Sequence, residues 1–152
     1  MNTLKLSPVF SIAADVAPAI EVGATPFGER RLIPILGGRV SGPRLTGKVL
    51  PGGTDYQSIR DEGLADIHAR YVIETEAGSR VYVENTGIRR GPPDLIARLK
   101  RGEPVDPALI YFRTVPRFET GDPDLAWLMR SIFVCAGTRL PDQVLLDIYE
   151  VG

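Results

Sequence analysis

The sequence predicts an all-β domain, and three observations predict it. Residues 64–75 are the strongest period-2 segment, with Ala65, Ile67, Ala69, Tyr71 and Ile73 set against Asp66, His68, Arg70, Val72 and Glu74, the pattern of a strand with one apolar face. The 16 glycines and 13 prolines among 152 residues break the chain too often for long helices. Between these breakers, short apolar stretches recur about every ten residues, the spacing of sandwiches and barrels.

In chain order, apolar stretches bounded by Gly or Pro place strands at 4–16, 20–24, 30–36, 44–50 and 55–60. The alternating segment 64–75 follows. Glu76-Ala77-Gly78-Ser79 then supplies a turn into 80–88, where Tyr82, Glu84 and Thr86 alternate with Val81, Val83 and Asn85, so the two segments read as a hairpin. One short helix comes next. Pro93 and Asp94 suit its first turn, Leu95, Ile96 and Leu99 its buried face, Arg98, Lys100 and Arg101 its last turn, and Gly102 its stop. It is expected to cover an end of the sheet. Strands at 108–115, 127–136 and 143–151 complete the chain, while the Gly/Pro-rich loops at 37–43 and 51–53 are too short to be linkers. Residues 1–152 are therefore expected to form a single domain. An open sheet of so many strands would expose its edges, and closure removes them, so the predicted architecture is a single antiparallel β-barrel with one short helix.

Composition narrows the partners. Lys and Arg total 18 against 19 Asp and Glu, a net charge of -1, so no basic field exists to hold nucleic acid or an anionic membrane surface. Pro8 and Asp15 interrupt the N-terminal apolar stretch before it resembles a signal peptide, and no segment approaches the roughly 20 apolar residues of a membrane span. A cytoplasmic protein is expected. The lone Cys135 sits in the apolar run Ser131-Ile132-Phe133-Val134-Cys135-Ala136 and reads as a packing residue. One histidine and one cysteine cannot supply a typical zinc set. The pairs Gly37-Gly38 and Gly52-Gly53 do not match a phosphate-binding loop, and no Gly-x-Ser-x-Gly elbow is present to serve His68. Neither a metal nor a cofactor is expected.

The chemistry left is that of ionisable residues on strands. Asp66, His68 and Arg70 share one face, with successive members about 7 Å apart. Facing water, they are the solvated side of an antiparallel strand, the ordinary arrangement; facing a barrel interior, burial would perturb their pKa values and make Asp66 or His68 a proton donor or acceptor, with Arg70 holding an anionic or carbonyl group. Arg113 lies among Tyr111 and Val115 on one face of its strand, and its partner is either Asp66, Glu84 or Glu119, or the carboxylate of a ligand. Trp127 reads first as a core residue. With Tyr56, Tyr71, Tyr82 and Tyr111 it could also wall an apolar pocket.

Read together, these motifs form a specific ordered set. Gly28-Glu29-Arg30-Arg31 leads into Ile33-Pro34-Ile35-Leu36-Gly37-Gly38 and then Gly42-Pro43-Arg44-Leu45-Thr46-Gly47-Lys48-Val49-Leu50-Pro51-Gly52-Gly53. Asp66-Ile67-His68-Ala69-Arg70-Tyr71 and Val83-Glu84-Asn85-Thr86-Gly87-Ile88-Arg89 follow, then Tyr111-Phe112-Arg113-Thr114-Val115-Pro116-Arg117-Phe118-Glu119-Thr120 and Trp127-Leu128. Over almost its whole length the chain resembles the bacterial and fungal family called domain of unknown function 3237, the UPF0311 proteins. The resemblance implies a compact antiparallel barrel of the calycin-like kind and brings no particular reaction with it. It lowers the candidacy of His68 and raises that of Asp66, Arg70, Glu84, Arg89, Arg113 and Glu119.

The leading functional expectation is a barrel that binds a polar or carboxylated small molecule, with Arg70, Tyr71, Arg89, Tyr111, Arg113, Glu119 and Trp127 as ligand-binding residues. The alternative is a cofactor-independent isomerase, cyclase or lyase, with Asp66 or Glu84 as acid or base and Arg70 or Arg113 stabilising an enolate or oxyanion. A third reading is an interaction protein whose apolar surplus lies in a homo-oligomer interface.

Overall fold

The computed structural model describes residues 1–152, the side chain of Glu62 excepted. Ten strands run antiparallel: β1 (Leu6–Val16), β2 (Ile20–Thr25), β3 (Gly28–Ser41), β4 (Gly47–Val49), β5 (Gly53–Arg60), β6 (Leu64–Thr75), β7 (Arg80–Arg90), β8 (Tyr111–Glu119), β9 (Ile132–Arg139) and β10 (Gln143–Val151). Since β1 pairs with both β10 and β3, the sheet closes on itself. β1 and β2 lie end to end along β3, and β4 and β5 share β3 and β6, so the ten strands build the eight walls of a closed barrel. The predicted hairpin is β6–β7, in continuous register from Ala65 opposite Arg89 to Glu74 opposite Arg80.

The expected helix is α1 (Pro93–Lys100), with Pro93 in its first turn and Gly102, at φ +75°, just beyond its end. Ile96 packs onto Gly63, and Lys100 Nζ lies 2.7 Å from Glu29 Oε1, which fastens α1 to the barrel end where β3 and β6 begin. No helix is long and apolar enough to cross a membrane among the described residues.

Several boundaries differ from expectation, three of them for a visible physical reason. Residues 37–41 are not a loop, because β3 continues through Gly37 and Gly38 to Ser41. There β1 and β3 approach so closely that a Cβ on Gly38 would lie 2.2 Å from the Ala13 carbonyl oxygen. The strand expected at 108–115 is displaced to β8, since the Asp106 side chain accepts a hydrogen bond from Ala108 N and starts a 3₁₀ turn at Pro107–Leu109. Trp127 belongs to no strand. Asp122 accepts from Asp124 N and opens a 3₁₀ helix, Pro123–Met129, so β9 starts only at Ile132.

The inward-facing side chains divide the barrel into two halves. At one end Phe10, Phe118 and Phe133 meet edge to face, with ring centroids 5.7 and 5.3 Å apart, and Leu128 of the 3₁₀ helix plugs the opening. Ile73, Val81, Val83 and Ile148 fill the space beside them, and burying each such side chain stabilises the fold by about 1.5–3 kcal/mol. Towards the other end, where β1 finishes and β3 starts, the same inner faces carry Arg31, Gln57, Asn85, Arg89 and Thr114, all buried. A barrel that is apolar at one end and polar at the other is the frame for the site.

A buried arginine and carboxylate site inside the barrel

Alternation decides which candidates meet. The inner face of β6 is Ala65, Ile67, Ala69, Tyr71 and Ile73, so Asp66, His68 and Arg70 point outward. On the outer wall Asp66 is held by Arg60 at 2.6 Å. Glu84 lies 2.8 Å from His68 Nε2 and 3.6 Å from Arg70, and His68 first and Arg70 after it hold the Glu84 carboxyl below the usual carboxylate range. Glu119 is exposed on the outer face of β8. Tyr111 and Arg113 are exposed too, along an open outer groove of about 660 Å³ that also includes Leu6, Val115 and Tyr149. Arg113 Nη1 donates to the Phe112 carbonyl oxygen, 2.8 Å away. Trp127 sits half-buried at the plugged end, against Phe133 and beneath the Arg44 guanidinium, whose carbon is 3.7 Å from the ring centroid. Cys135 is buried, its thiol pushed up to about 12 mainly by desolvation, which makes it a packing residue and an inert one.

Two of the candidates, Tyr71 and Arg89, do point inside, and they converge with polar residues from other strands. A cavity of about 40 Å³ lies within the polar half, lined by Asp55, Gln57, Tyr71, Asn85, Arg89 and Arg139 among aliphatic side chains such as Ile33, Ile67 and Leu146. Gly137 makes room for one wall, because a Cβ there would lie 2.7 Å from the Phe112 ring. The chain register explains the convergence. Asp55 faces Ala69 across β5–β6, Ala69 faces Asn85 across β6–β7, Arg31 faces Gln57 across β3–β5, and Ala65 faces Arg89, so small residues on β6 let polar groups from its neighbours meet.

Electrostatically the cluster is unbalanced. Asp55 accepts hydrogen bonds from Gln57 Nε2 at 2.8 Å and from His68 N at 3.0 Å, yet desolvation outweighs these bonds and raises its carboxyl above the usual aspartate range. Arg89 is 3% exposed, and burial first, with Arg31 and Arg139 beside it, lowers its guanidinium to about 10 against the pull of Asp55. It remains charged at neutral pH. Arg31 finds Glu21 at the rim, 3.3 Å away, and Arg139 donates over long distances to the carbonyl oxygens of Gln143 and Pro141, 3.5 and 3.4 Å away, while both Arg89 and Arg139 feel the charge of Asp55. Among the described residues, no salt bridge joins Arg89 to any carboxylate. Arg89 Nε, Asn85 Oδ1, Gln57 Oε1, Tyr71 Oη and Thr114 Oγ1 are buried without a hydrogen-bond partner. Leaving such groups unpaired costs about 1–3 kcal/mol each, which marks this as a site shaped for polar contents.

A readable signal for these residues existed. Along β3 the inner parity reads Arg31, Ile33, Ile35; along β5 Asp55, Gln57, Ile59; along β7 Val81, Val83, Asn85 and then Arg89. Polar residues in register with aliphatic ones mark a polar interior, whereas polar residues in register with each other mark the solvent side.

The family model described as "Protein of unknown function (DUF3237)" matches residues 4–151. A UPF0311 protein of Bradyrhizobium diazoefficiens is 54% identical over 149 residues, covering 98% of this chain and 97% of its own. The crystal structure of a conserved protein of unknown function from Rhodopseudomonas palustris superposes with a TM-score of 0.94 at 49% identity, covering 100% of this chain and 99% of that one. A β-barrel-like protein from Acinetobacter baumannii gives 0.87 at 35% identity, covering 100% and 98%.

Proposed function

We propose that this chain, which belongs to the DUF3237 (UPF0311) family, binds a compact carboxylate-bearing small molecule inside its barrel. The observation that carries this reading is the pair of inward guanidiniums, Arg89 and Arg139, set against one half-buried carboxylate on the cavity lining, Asp55, with Arg89 Nε unpartnered. A buried guanidinium presents a planar fork of donors that a carboxylate matches with two parallel hydrogen bonds. A bound carboxylate supplies both the missing acceptors and the missing negative charge. Tyr71 Oη and the Asn85 side chain stand ready for further oxygens.

Size limits the ligand. A water needs at least about 10–15 Å³ of such space, so 40 Å³ holds about three water-sized groups, the room of a carboxylate head alone. Larger molecules would have to extend from the site towards the barrel end. The outer grooves are roomier but open to solvent, and their charged groups are exposed, where ion pairs are worth less than about 1 kcal/mol.

The test is thermal melting with acetate, lactate, pyruvate and malonate, comparing the wild type with Arg89→Met. A ligand at 100 times its Kd stabilises by about 2.7 kcal/mol. A saturable rise in Tm with at least one of these acids, abolished in Arg89→Met and kept in Arg113→Ala, is the expected result. Without ligand, Arg89→Met should melt no lower than the wild type, because an apolar chain of similar length replaces a desolvated charge. No shift with any of the four acids, or a shift indifferent to Arg89, would overturn the reading.

A further inference from the structure

We infer that the same site enolises small 2-oxo acids, with Asp55 as the group that takes and returns the proton. This rests on the binding reading above and goes beyond it, since a site that only binds a carboxylate has no use for a carboxylate of its own. An aspartate placed beside the guanidiniums weakens anion binding. The fold nevertheless holds Asp55 firmly: Gln57 Nε2 donates to Oδ2 and the His68 backbone N–H donates to Oδ1, fixing the plane of the carboxyl from two different strands.

The geometry supplies the three parts that enolisation needs. Arg89 and Arg139 offer positive charge on the cavity lining, Asp55 lies on the same lining, and no salt bridge joins Asp55 to Arg89 among the described residues. Asn85 and Tyr71 add unpartnered polar groups on the lining. The surrounding Ile33, Ile67, Ala69 and Leu146 keep the space apolar, so charge developing on a ligand oxygen is felt strongly by the guanidiniums.

For pyruvate the step balances without any co-reactant. With the substrate carboxylate on the arginines, a C3–H bond breaks and its proton moves to an Asp55 oxygen. The electron pair of that bond forms the C2=C3 double bond, and the C2=O π pair moves onto oxygen, which becomes the enolate held by guanidinium charge. The reverse step returns the proton to carbon. Return to a different atom of a longer substrate would make the net reaction an isomerisation.

The experiment is proton NMR of pyruvate in deuterated buffer with the intact protein, following loss of the methyl signal, and saturation-transfer contacts from protein to pyruvate in the same samples. The wild type is expected to show contacts and to speed exchange well above the buffer rate. Asp55→Asn, which keeps the shape of the side chain, should keep the contacts and lose exchange by about 100-fold or more, the usual weight of a general base. Contacts without exchange in the wild type, or equal exchange in Asp55→Asn, would overturn the enolising role and leave the binding reading intact. Absence of contacts would remove both.

Discussion

Asp55 shows how a single residue sets conflicting demands on the molecule. Its folded-state carboxyl is raised, chiefly by desolvation, so between the ordinary aspartate range near pH 4 and the higher folded value the native state holds a proton that the unfolded chain has lost. Stability from this group therefore falls as pH rises through that window, and the penalty persists at neutral pH. Asp55→Asn removes it. The new amide can still accept from His68 N, and a flipped Gln57 can offer it the oxygen that now lacks a partner. The variant should be more stable than the wild type at pH 7 by about 1 kcal/mol, with the difference closing as pH falls through that window towards about 4. Denaturant unfolding across pH checks this. Glu74, Glu84, Asp122 and Glu150 are shifted the other way by Arg80, His68, Ser79 and Ser131 respectively, so both proteins lose their contribution in acid and the difference between them isolates Asp55. A variant less stable at pH 7, or a gap that does not change with pH, would contradict the placement of the carboxyl.

Among the elements, β3 carries the most structural demand, since it pairs with β1, β2, β4 and β5. It can do so only because its backbone at Gly38, with φ +150°, runs against β1 with no room for a side chain. Gly38→Ala should cost about 1–3 kcal/mol, from strain and from the forced separation of Ala13 and Gly38, read as a lower denaturant midpoint. An unchanged midpoint would mean that β1 and β3 do not approach as described. This element also explains where sequence reading stopped. The β6–β7 hairpin was legible because every second residue from Ala65 to Ile73 is apolar and most of those between are charged or polar. Gly37-Gly38 carries the same residues as a turn, and nothing local distinguishes a turn glycine from one that lets two strands touch. The starts of β8 and β9 were misplaced for a related reason, because Asp106 and Asp122 divert apolar stretches into 3₁₀ turns by hydrogen bonds that composition does not reveal.

At the scale of the whole molecule, the barrel works as a division of labour between its ends. The Phe10, Phe118 and Phe133 end holds the fold together, and the Arg31, Asp55 and Arg89 end gives up stability for a polar interior. The closed antiparallel barrel was legible from strand count and edge protection. The candidate site was legible only in part: Tyr71 and Arg89 stood in the right motifs, and strand parity marks Asp55, Gln57 and Asn85 as inward, but that these and Arg139 converge follows from closure of strands far apart in the chain. Asp66, Arg70 and Glu84 drew attention because they are charged residues at alternating positions of two neighbouring strands, and that parity is the solvent side. The most direct measurement of the central claim is a crystal structure of the protein grown with saturating pyruvate. The carboxylate is predicted between the guanidiniums of Arg89 and Arg139, with its carbon chain towards Asp55. Carboxylate density only in the outer groove at Tyr111 and Arg113, or an interior holding nothing but water, would contradict it.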